Sequence, residues 1–226
     1  MYQIQNKKII KQNMTTKFEA KKFSFPTLKG ISEKTMEEHM KLYTGYVNNA
    51  NLILQKLEEL SQDSEKNAYA LGEVNRRFGF EFNGIRNHEV YFSLLEKSEN
   101  ETGSITRGTD SKILEEVAPK LKLAIEKEWG SFDAWLLRFK AISLTRGIGW
   151  AMLYKDNKTG SLLNAWVDEQ HLGQLQDCTL VFCIDMWEHS FVADYAPSGK
   201  KNYVNDFLEN VDWKKAEELF TGEQFV

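Results

Sequence analysis

The sequence predicts an α+β fold, in which an N-terminal antiparallel helical hairpin domain is followed by an α/β domain with a three-stranded antiparallel sheet. From Ile31 to about Lys97, apolar residues recur every three or four positions, which is typical of amphipathic helices. The segment from Ser98 to Ser111 is rich in Gly, Ser, Thr and Asn and lacks this periodicity, so it indicates a domain boundary. Beyond it, short β-rich apolar runs alternate with turn signals before helical patterns return.

These changes of pattern divide the chain of 226 residues into three parts. Residues 1–22 are expected to be a disordered lead-in, because Met1–Thr16 is polar and has no apolar core of the kind that a secretory signal needs. Met1–Thr16 also lacks arginine, which gives a transit peptide little support, and Met14 is an alternative start. Residues 23–100 should form the helical hairpin domain, and residues 101–226 should form the C-terminal α/β domain.

The first helix of the hairpin is predicted to begin after Ser32, a residue of the N-cap type that acidic side chains follow in the first turns. Its buried stripe should consist of Met36, Met40, Tyr43, Val47, Ala50 and Ile53 or Leu54. A polar turn within SQDSEKNAYALGEV leads into further helix, and FNGIRNHEVYFSLL indicates a second helix of similar kind.

The C-terminal domain begins with two predicted helices in ILEEVAPKLKLAIEKEWGSFDAWLLRFKAISL, separated near Gly130 and Ser131. Three β-rich runs follow, GWAMLYKD, SLLNAWVD and TLVFCID, and turn signals such as DNKTG separate them. These runs predict the three-stranded antiparallel sheet. The segments WEHSFVADY and NYVNDFLENVDWKKAEELF should return the chain to helix.

Composition and charge exclude several classes of function. Hydrophobic residues make up 42% of the chain and charged residues 27%, near the averages for globular proteins. A net charge of −4 gives no sign of a nucleic-acid partner, and no apolar stretch approaches the length of a membrane span. Cys178 and Cys183 do not form a CxxC motif, and Cys183 lies in an apolar run, so a buried thiol is expected. We therefore expect a cytoplasmic protein, with the mitochondrial matrix as the less favoured compartment.

The candidate chemistry involves the four histidines of the chain, His39, His88, His171 and His189. A lone histidine is more often a structural residue than a ligand. His39 and His88, however, lie on the apolar faces of the two predicted hairpin helices, so both should point inward.

The second half of the chain offers a carboxylate and an imidazole. Asp185 follows a buried strand without a polar break, where a carboxylate is unfavourable unless it is paired or binds a metal. His189, four residues later, can turn back toward the same point. With His39 and His88 these residues would form a site with three nitrogen ligands and one oxygen ligand. Such a site suits Fe or Mn better than structural zinc, which favours thiolates.

The same residues carry a family resemblance. The segment DMWEHSFVADY resembles D-x-W-E-H-A-Y-x-x-D-Y, the signature of iron/manganese superoxide dismutases, which is specific. The likeness extends to ISEKTMEEH, YVNN, FNGIRNH, WGSFDAWLLRF, GIGWAML and KKNYVNDFLENVDWKKAEELF, and it covers about Phe23 to Phe220. It implies a helical hairpin followed by an α/β domain, and an enzyme that converts superoxide to O₂ and H₂O₂.

The resemblance also implies the site residues. One Mn or Fe ion per chain would be held by His39, His88, Asp185 and His189. Tyr46 corresponds to the tyrosine that gates the substrate funnel, and Trp150 and Trp187 to tryptophans that line the metal pocket. Glu188 corresponds to a glutamate that reaches the partner's metal-binding histidine, which implies a homodimer.

A further family position hydrogen-bonds the solvent molecule on the metal. Iron-type members usually place a glutamine four residues before the second ligand, where this chain has Gly84. Manganese-type members have glycine there and supply a glutamine from the sheet region, which here reads VDEQHLGQ. Gln170 is therefore the expected donor and His171 the alternative, and the pattern favours manganese.

The chain departs from the family pattern at the outer gate. The family usually has eight residues from the first ligand to the gating tyrosine, whereas His39 and Tyr46 are seven apart. The histidines normally found between them are absent, and Val192 replaces a tyrosine that follows the last ligand. We expect a homodimer through the Glu188 region, with Tyr43 and Val192 packed at its rim.

Two rival functions come from other classes. One is a non-catalytic structural protein that has kept a superoxide dismutase fold, but such a protein has no reason to retain four ligands. The other is a mononuclear iron oxygenase, which needs open coordination positions for a cosubstrate and so fits four protein ligands poorly.

Overall fold

Two helices of 28 residues each, α1 (Glu33–Leu60) and α2 (Ala68–Leu95), form an antiparallel hairpin. They belong to a computed structural model that describes residues 17–97 and 106–223. The remaining helices are α3 (Ser111–Val117), α4 (Pro119–Trp129), α5 (Phe132–Ser143), α6 (Val192–Tyr195), α7 (Lys200–Asn210) and α8 (Trp213–Thr221). The strands are β1 (Gly149–Asp156), β2 (Leu162–Asp168) and β3 (Cys178–Asp185).

The start of α1 confirms the predicted N-cap. The Ser32 hydroxyl accepts a hydrogen bond from the Thr35 backbone N–H at 3.2 Å, which satisfies one of the donors that a helix start leaves free. The predicted stripe is buried at Met36, Tyr43, Val47 and Ala50, whereas Met40, Ile53 and Leu54 are only half-buried. This stripe faces α2 and fixes which side of α1 points into the protein.

The segment before the sheet forms three helices rather than the two predicted. Helix α3 ends at Val117 and α4 starts at Pro119. Proline has no N–H to continue a helix and disfavours helical backbone in the residue before it, and Ala118 accordingly has φ −141°. The predicted break at Gly130 is confirmed, because this residue ends α4 with φ +85°, a conformation that suits glycine.

The predicted three-stranded antiparallel sheet is confirmed, with the strand order β2-β1-β3. Trp150 in the central strand lies opposite Val167 on one side and Asp185 on the other. Helix α2 packs against β3, and the Cys183 thiol donates to the Asn87 carbonyl at 3.7 Å. This packing brings the hairpin to the end of β3, where Asp185 lies.

The chain after β3 is more broken than the predicted helix over WEHSFVADY. A 3₁₀ turn at Glu188–Ser190 precedes the four-residue helix α6, and a second 3₁₀ turn at Pro197–Gly199 precedes α7. The longer helices α7 and α8 occupy the predicted C-terminal helical segment. The 3₁₀ turn after β3 matters most, because it contains His189.

The N-terminal prediction needs a correction. Residues 1–16 lie outside the described residues, but residues 17–22 are attached to α1. The Phe18 backbone exchanges two hydrogen bonds with the Asn51 amide, at 2.8 and 2.9 Å, and the Lys21 N–H donates to the Tyr43 hydroxyl at 2.9 Å. The disordered lead-in therefore does not extend to residue 22. Part of the predicted domain boundary, residues 98–105, also lies outside the described residues, and the limits 23–100 and 101–226 stay predictions.

Two smaller expectations concern the thiols and the membrane. Cys183 is fully buried and free, as predicted, and Cys178 is free and half-buried. Within residues 17–97 and 106–223, no helix combines the length and apolarity needed to cross a membrane.

Candidate metal centre

Four side chains from four different elements meet where the hairpin packs on the sheet. His39 comes from α1, His88 from α2, Asp185 from the last position of β3 and His189 from the following 3₁₀ turn. One ligand atom from each lies within 4.8 Å of all the others. The first three residues are buried completely, and the His189 side chain is 21% exposed. The structure therefore brings together all four predicted ligands.

The geometry of the cluster centres on one carboxylate oxygen. Asp185 Oδ2 lies 3.1 Å from His39 Nε2, 3.1 Å from His189 Nε2 and 3.5 Å from His88 Nε2. The other oxygen, Oδ1, accepts a hydrogen bond from the Trp187 backbone N–H at 2.8 Å, which fixes the orientation of the carboxylate. Three imidazole nitrogens and one carboxylate oxygen thus face a common point.

The protonation states of these residues suit cation binding. Burial, with a smaller contribution from the neighbouring His39, lowers the pKa of His88 to about 3. Burial likewise lowers the pKa of His39. For Asp185, burial raises the pKa, but the His189 and His39 side chains outweigh this effect and hold the pKa below its usual range. At neutral pH the cluster therefore presents buried imidazoles that are neutral and a carboxylate that is charged, the forms that bind metals.

One orphaned atom supports a metal at this point. His88 Nε2 is buried and has no hydrogen-bond partner among the described residues, while Nδ1 lies 2.6 Å from the Gly84 carbonyl. A carbonyl can only accept, so Nδ1 carries the proton and Nε2 presents its lone pair to the cluster. A buried lone pair directed at three other ligand atoms fits a redox metal with nitrogen and oxygen ligands.

Aromatic rings enclose the cluster. The Trp150 ring centroid lies 5.0 Å from that of His88, and the Trp187 centroid lies 5.8 Å from that of His189. Phe92 packs at 5.0 Å against His39. The two tryptophans therefore line the metal pocket as predicted, and the apolar wall limits access of water to the ligands.

Gln170 forms hydrogen bonds both to Trp150 of this aromatic wall and to Tyr46, the predicted gating tyrosine. The side chain is fully buried, its Oε1 accepts from Trp150 Nε1 at 3.0 Å, and its Nε2 donates to the Tyr46 hydroxyl at 2.9 Å. Because indole N–H can only donate, Trp150 fixes which end of the amide faces Tyr46. Asn87, the residue before His88, also donates to the Gln170 carbonyl at 2.9 Å.

The seven-residue spacing does not displace Tyr46. In an α-helix seven residues fall about 20° short of two turns, so His39 and Tyr46 lie on the same face of the uninterrupted α1. The Tyr46 ring lies 5.1 Å from His88, against Gly84. A Cβ atom on Gly84 would be 2.5 Å from the ring, so only glycine fits here without a shift. This contact gives Gly84 a steric role beside Tyr46.

His171 occupies a different position from Gln170. It is half-buried, and its ring meets the edge of Phe80 at 5.8 Å. His171 Nδ1 is buried without a hydrogen-bond partner among the described residues. The hydrogen bond to Tyr46 comes from Gln170 and not from His171.

The expected dimer rim requires a correction. Tyr43 is fully buried within the chain, where its hydroxyl donates to Glu89 at 3.2 Å, and burial raises the pKa of this phenol to about 12. Tyr43 therefore has no exposed surface with which to contact a partner. Val192 is half-buried, and Glu188 is exposed, without a side-chain hydrogen bond or ion pair to the described residues.

Sequence reasoning missed three residues beside Tyr46 on α2: Arg77, Phe80 and Glu81. The Phe80 ring lies 6.0 Å from Tyr46, and Arg77 Nε donates to Glu81 Oε1 at 2.8 Å. A usable signal was present, because helical steps of three or four residues back from His88 lead through Gly84 to Phe80 or Glu81 and to Arg77.

Comparisons with known proteins agree with this geometry. The family model of iron/manganese superoxide dismutases, alpha-hairpin domain, matches residues 26–96. The model of iron/manganese superoxide dismutases, C-terminal domain, matches residues 117–219. Together the two models cover both halves of the fold and all four candidate ligands.

Curated relatives include proteins named for either metal. A superoxide dismutase [Fe] from Cupriavidus metallidurans is 31% identical over 86% of this chain and 91% of that protein. A mitochondrial superoxide dismutase [Mn] from Aspergillus niger is 30% identical over 84% of this chain and 85% of that protein. Superoxide dismutase [Mn] 1 from Halobacterium salinarum is 30% identical over 84% and 86%, respectively.

Proposed function

Because the chain belongs to the iron/manganese superoxide dismutase family, we propose that it converts superoxide to O₂ and H₂O₂ at one Mn or Fe ion. The convergence of His39, His88 and His189 on Asp185 Oδ2 carries the proposal. A protein that had kept the fold for a structural role alone would gain nothing from an imidazole lone pair that is buried without a partner.

Each ligand has a distinct task in this proposal. The bound metal supplies one-electron oxidation and reduction of superoxide. Asp185 contributes the single negative charge of the ligand set, which favours the higher oxidation state of a cation. His39 and His88 contribute neutral nitrogens held by full burial, and the backbone N–H of Trp187 keeps the carboxylate in position.

Tyr46 and Gln170 are proposed to act as one hydrogen-bonded unit beside the metal. The Tyr46 oxygen accepts from Gln170 Nε2, so its own proton is free for donation toward the pocket. Burial raises the pKa of Tyr46, with the negative charges of Asp185 and Glu81 acting in the same direction, so the phenol stays protonated at neutral pH. H₂O₂ formation consumes two protons, and this unit can hold one of them where it is needed. His171 remains the alternative donor.

Of the two metals, manganese is favoured. Gly84 leaves room for the Tyr46 ring, and a glutamine side chain at that position would collide with it. This packing supports Gln170 as the source of the amide near the metal, which is the manganese-type arrangement implied by the family resemblance. Metal analysis of protein expressed with equal supplies of the two metals tests this preference.

The proposed assembly is a homodimer through the Glu188 region. Glu188 is exposed one residue before His189, and a partner's imidazole at this position would give the carboxylate a hydrogen bond. Glu188→Ala should weaken the dimer and loosen the metal together, because one contact supports both. Sedimentation of the wild type at micromolar concentration is the test, and a monomer with full activity would contradict the proposed dimer.

The proposed location is the cytoplasm. Two free thiols, Cys178 and Cys183, fit a reducing compartment. Fractionation of the source cells, with enzyme activity as the marker, tests this location against the mitochondrial matrix.

The experiment for the main proposal combines metal content with superoxide consumption. We expect purified protein to consume superoxide in proportion to its bound Mn or Fe, and to lose activity when a chelator removes the metal. Metal-loaded protein that leaves superoxide decay unchanged would instead favour the structural role.

A further inference from the structure

We call the surroundings of Tyr46, the tyrosine that the family resemblance places at the substrate funnel, the entrance. They contain a charged pair that the ligand set does not use. Glu81 is a carboxylate with only 3% of its surface exposed, and its Oε1 accepts from Arg77 Nε at 2.8 Å. The Arg77 side chain, one helical turn earlier on α2, is 52% exposed. A buried charge next to an anion-consuming centre needs an explanation, because its field is weakly screened by solvent.

Arg77 also packs on the aromatic wall of the entrance. Its guanidinium carbon lies 3.8 Å from the centroid of the Phe80 ring. We define the entrance collar as Phe80 and the three aromatic side chains around it. These are Tyr46 at 6.0 Å, His171 at 5.8 Å and Trp187 at 6.4 Å. Arg77 therefore holds a solvent-accessible positive charge against the central ring of the collar.

The charges of this pair act on the collar. Burial is the main reason that the pKa of the Tyr46 phenol is raised. The negative charge of Glu81 raises this pKa as well and the positive charge of Arg77 lowers it, so both charges lie close enough to act on the phenol. The chain as a whole carries a net charge of −4, which does not attract an anion from a distance. Local positive charge at the entrance is then what raises the concentration of a small anion there.

We propose that Arg77 is a positioning residue for superoxide, which attracts the anion to the entrance collar and neutralises the buried Glu81 carboxylate that would otherwise repel it. This inference rests on the proposed function. Arginine suits the position because its planar guanidinium stacks on Phe80 while one N–H remains bonded to Glu81. Lysine could supply the positive charge, but it has no planar guanidinium that could stack on Phe80 and donate to Glu81 at the same time.

The inference predicts a specific pattern in four variants. Arg77→Ala should lower kcat/KM about tenfold at low ionic strength, and the deficit should shrink as salt screens the exposed charges. Glu81→Gln should raise kcat/KM, and Arg77→Ala combined with Glu81→Gln should recover most of the loss. Arg77→Lys should keep part of the salt dependence. Arg138→Ala, which removes one positive charge from an exposed position on α5, is the matched control for overall charge.

Anion affinity provides a readout besides activity. Azide, a small monoanion, is titrated into the metal-loaded protein and followed by absorbance. We expect Arg77→Ala to weaken azide binding several-fold, Glu81→Gln to strengthen it, and Arg138→Ala to leave it unchanged. Circular dichroism and metal content establish that each variant is folded and loaded.

Three results separate the possibilities. If Arg77→Ala matches Arg138→Ala in salt dependence and azide affinity, the inference is overturned. It is also overturned if the loss is independent of salt and Glu81→Gln does not reverse it, because Arg77 would then act only by supporting Phe80. A wild type that binds metal and azide but consumes no superoxide contradicts the proposed function instead, while the azide series still tests Arg77.

Discussion

The metal centre and its entrance both draw residues from α1 and α2, yet their residues are held in place by different constraints. At the centre, His39 and His88 must direct nitrogens at the same carboxylate oxygen of Asp185, with separations of 3.1 and 3.5 Å. At the entrance, Tyr46 reaches its position although the spacing from His39 is one residue shorter than the family pattern. The centre depends on donor atoms at one point, whereas the entrance depends on which face of a helix a residue occupies.

This difference follows from helix geometry. Seven residues fall about 20° short of two helical turns and eight pass two turns by about 80°, so both positions can lie within an apolar stripe about 100° wide on the inner face of α1. No comparable freedom exists for Asp185, which is the last residue of β3 and is held by the Trp187 backbone N–H at 2.8 Å. We therefore expect substitutions at the centre to abolish activity, and substitutions at the entrance to reduce activity only in part.

The largest effect should come from Asp185→Ala. Removal of the one anionic ligand should abolish metal binding and dismutase activity together, because no other carboxylate belongs to the cluster among the described residues. His189→Ala should have the same result. Metal content by mass spectrometry is the measurement, with His171→Ala as the matched histidine control that keeps its metal. Full metal occupancy in Asp185→Ala would show that the ligand set is wrong.

Gln170→Ala should have the next largest effect. The metal should stay bound, while activity falls about 10- to 100-fold, the range typical of residues that support a metal's ligands. The reason is that Tyr46 and Trp150 both lose their hydrogen-bond partner. His171→Ala should change the rate less. Stopped-flow superoxide decay ranks the two variants, and the reverse ranking would transfer the donor role to His171.

Gly84→Ala tests the packing behind the gate. The added Cβ would lie 2.5 Å from the Tyr46 ring, so the ring must move and weaken its bond to Gln170. We expect an overpacking loss of about 1–3 kcal/mol in the free energy of unfolding, with the metal retained and activity reduced. Gly72→Ala is the matched control on α2, because nothing lies within 4 Å of its added Cβ. Equal urea midpoints for the two variants would refute this steric account.

The last prediction concerns how the stability of the metal-free protein depends on pH. Burial lowers the pKa of His88 from 6.5 to about 3, so below pH 6.5 the unfolded chain binds a proton that the folded chain does not. The stability from this group is fully present above pH 6.5 and is lost as the pH falls toward 3. We expect a slope of up to about 1.4 kcal/mol per pH unit for one such histidine. Urea unfolding at pH 7 and pH 5 measures it, and a steeper slope in His88→Asn than in the wild type would contradict it.

The centre and the entrance also differ in how well their residues can be predicted from the sequence. Asp185 and His189 were predictable because they lie four residues apart at the end of an apolar strand, so a local pattern contained their relation. The expected position of Tyr43 at the dimer rim is wrong, because a helical stripe does not say which residues face α2 and which face a partner. Its contact with Glu89 joins positions 46 residues apart.

The arginine at the entrance was missed for a different reason. Arg77 and Arg76 are adjacent and equally charged in the sequence, but Arg76 pairs with the exposed Glu73 whereas Arg77 stacks on Phe80. Only the direction of each side chain separates the two. The break before Pro119, by contrast, was available from the sequence, because proline disfavours helical backbone in the preceding residue.

The most direct test of the central claim is metal stoichiometry measured together with superoxide consumption on one preparation. The structure predicts one Mn or Fe ion per chain and a rate of superoxide loss that increases in proportion to occupancy from the metal-free to the fully loaded protein. One metal per chain without any superoxide consumption would contradict the account, and so would superoxide consumption that persists after the metal has been removed.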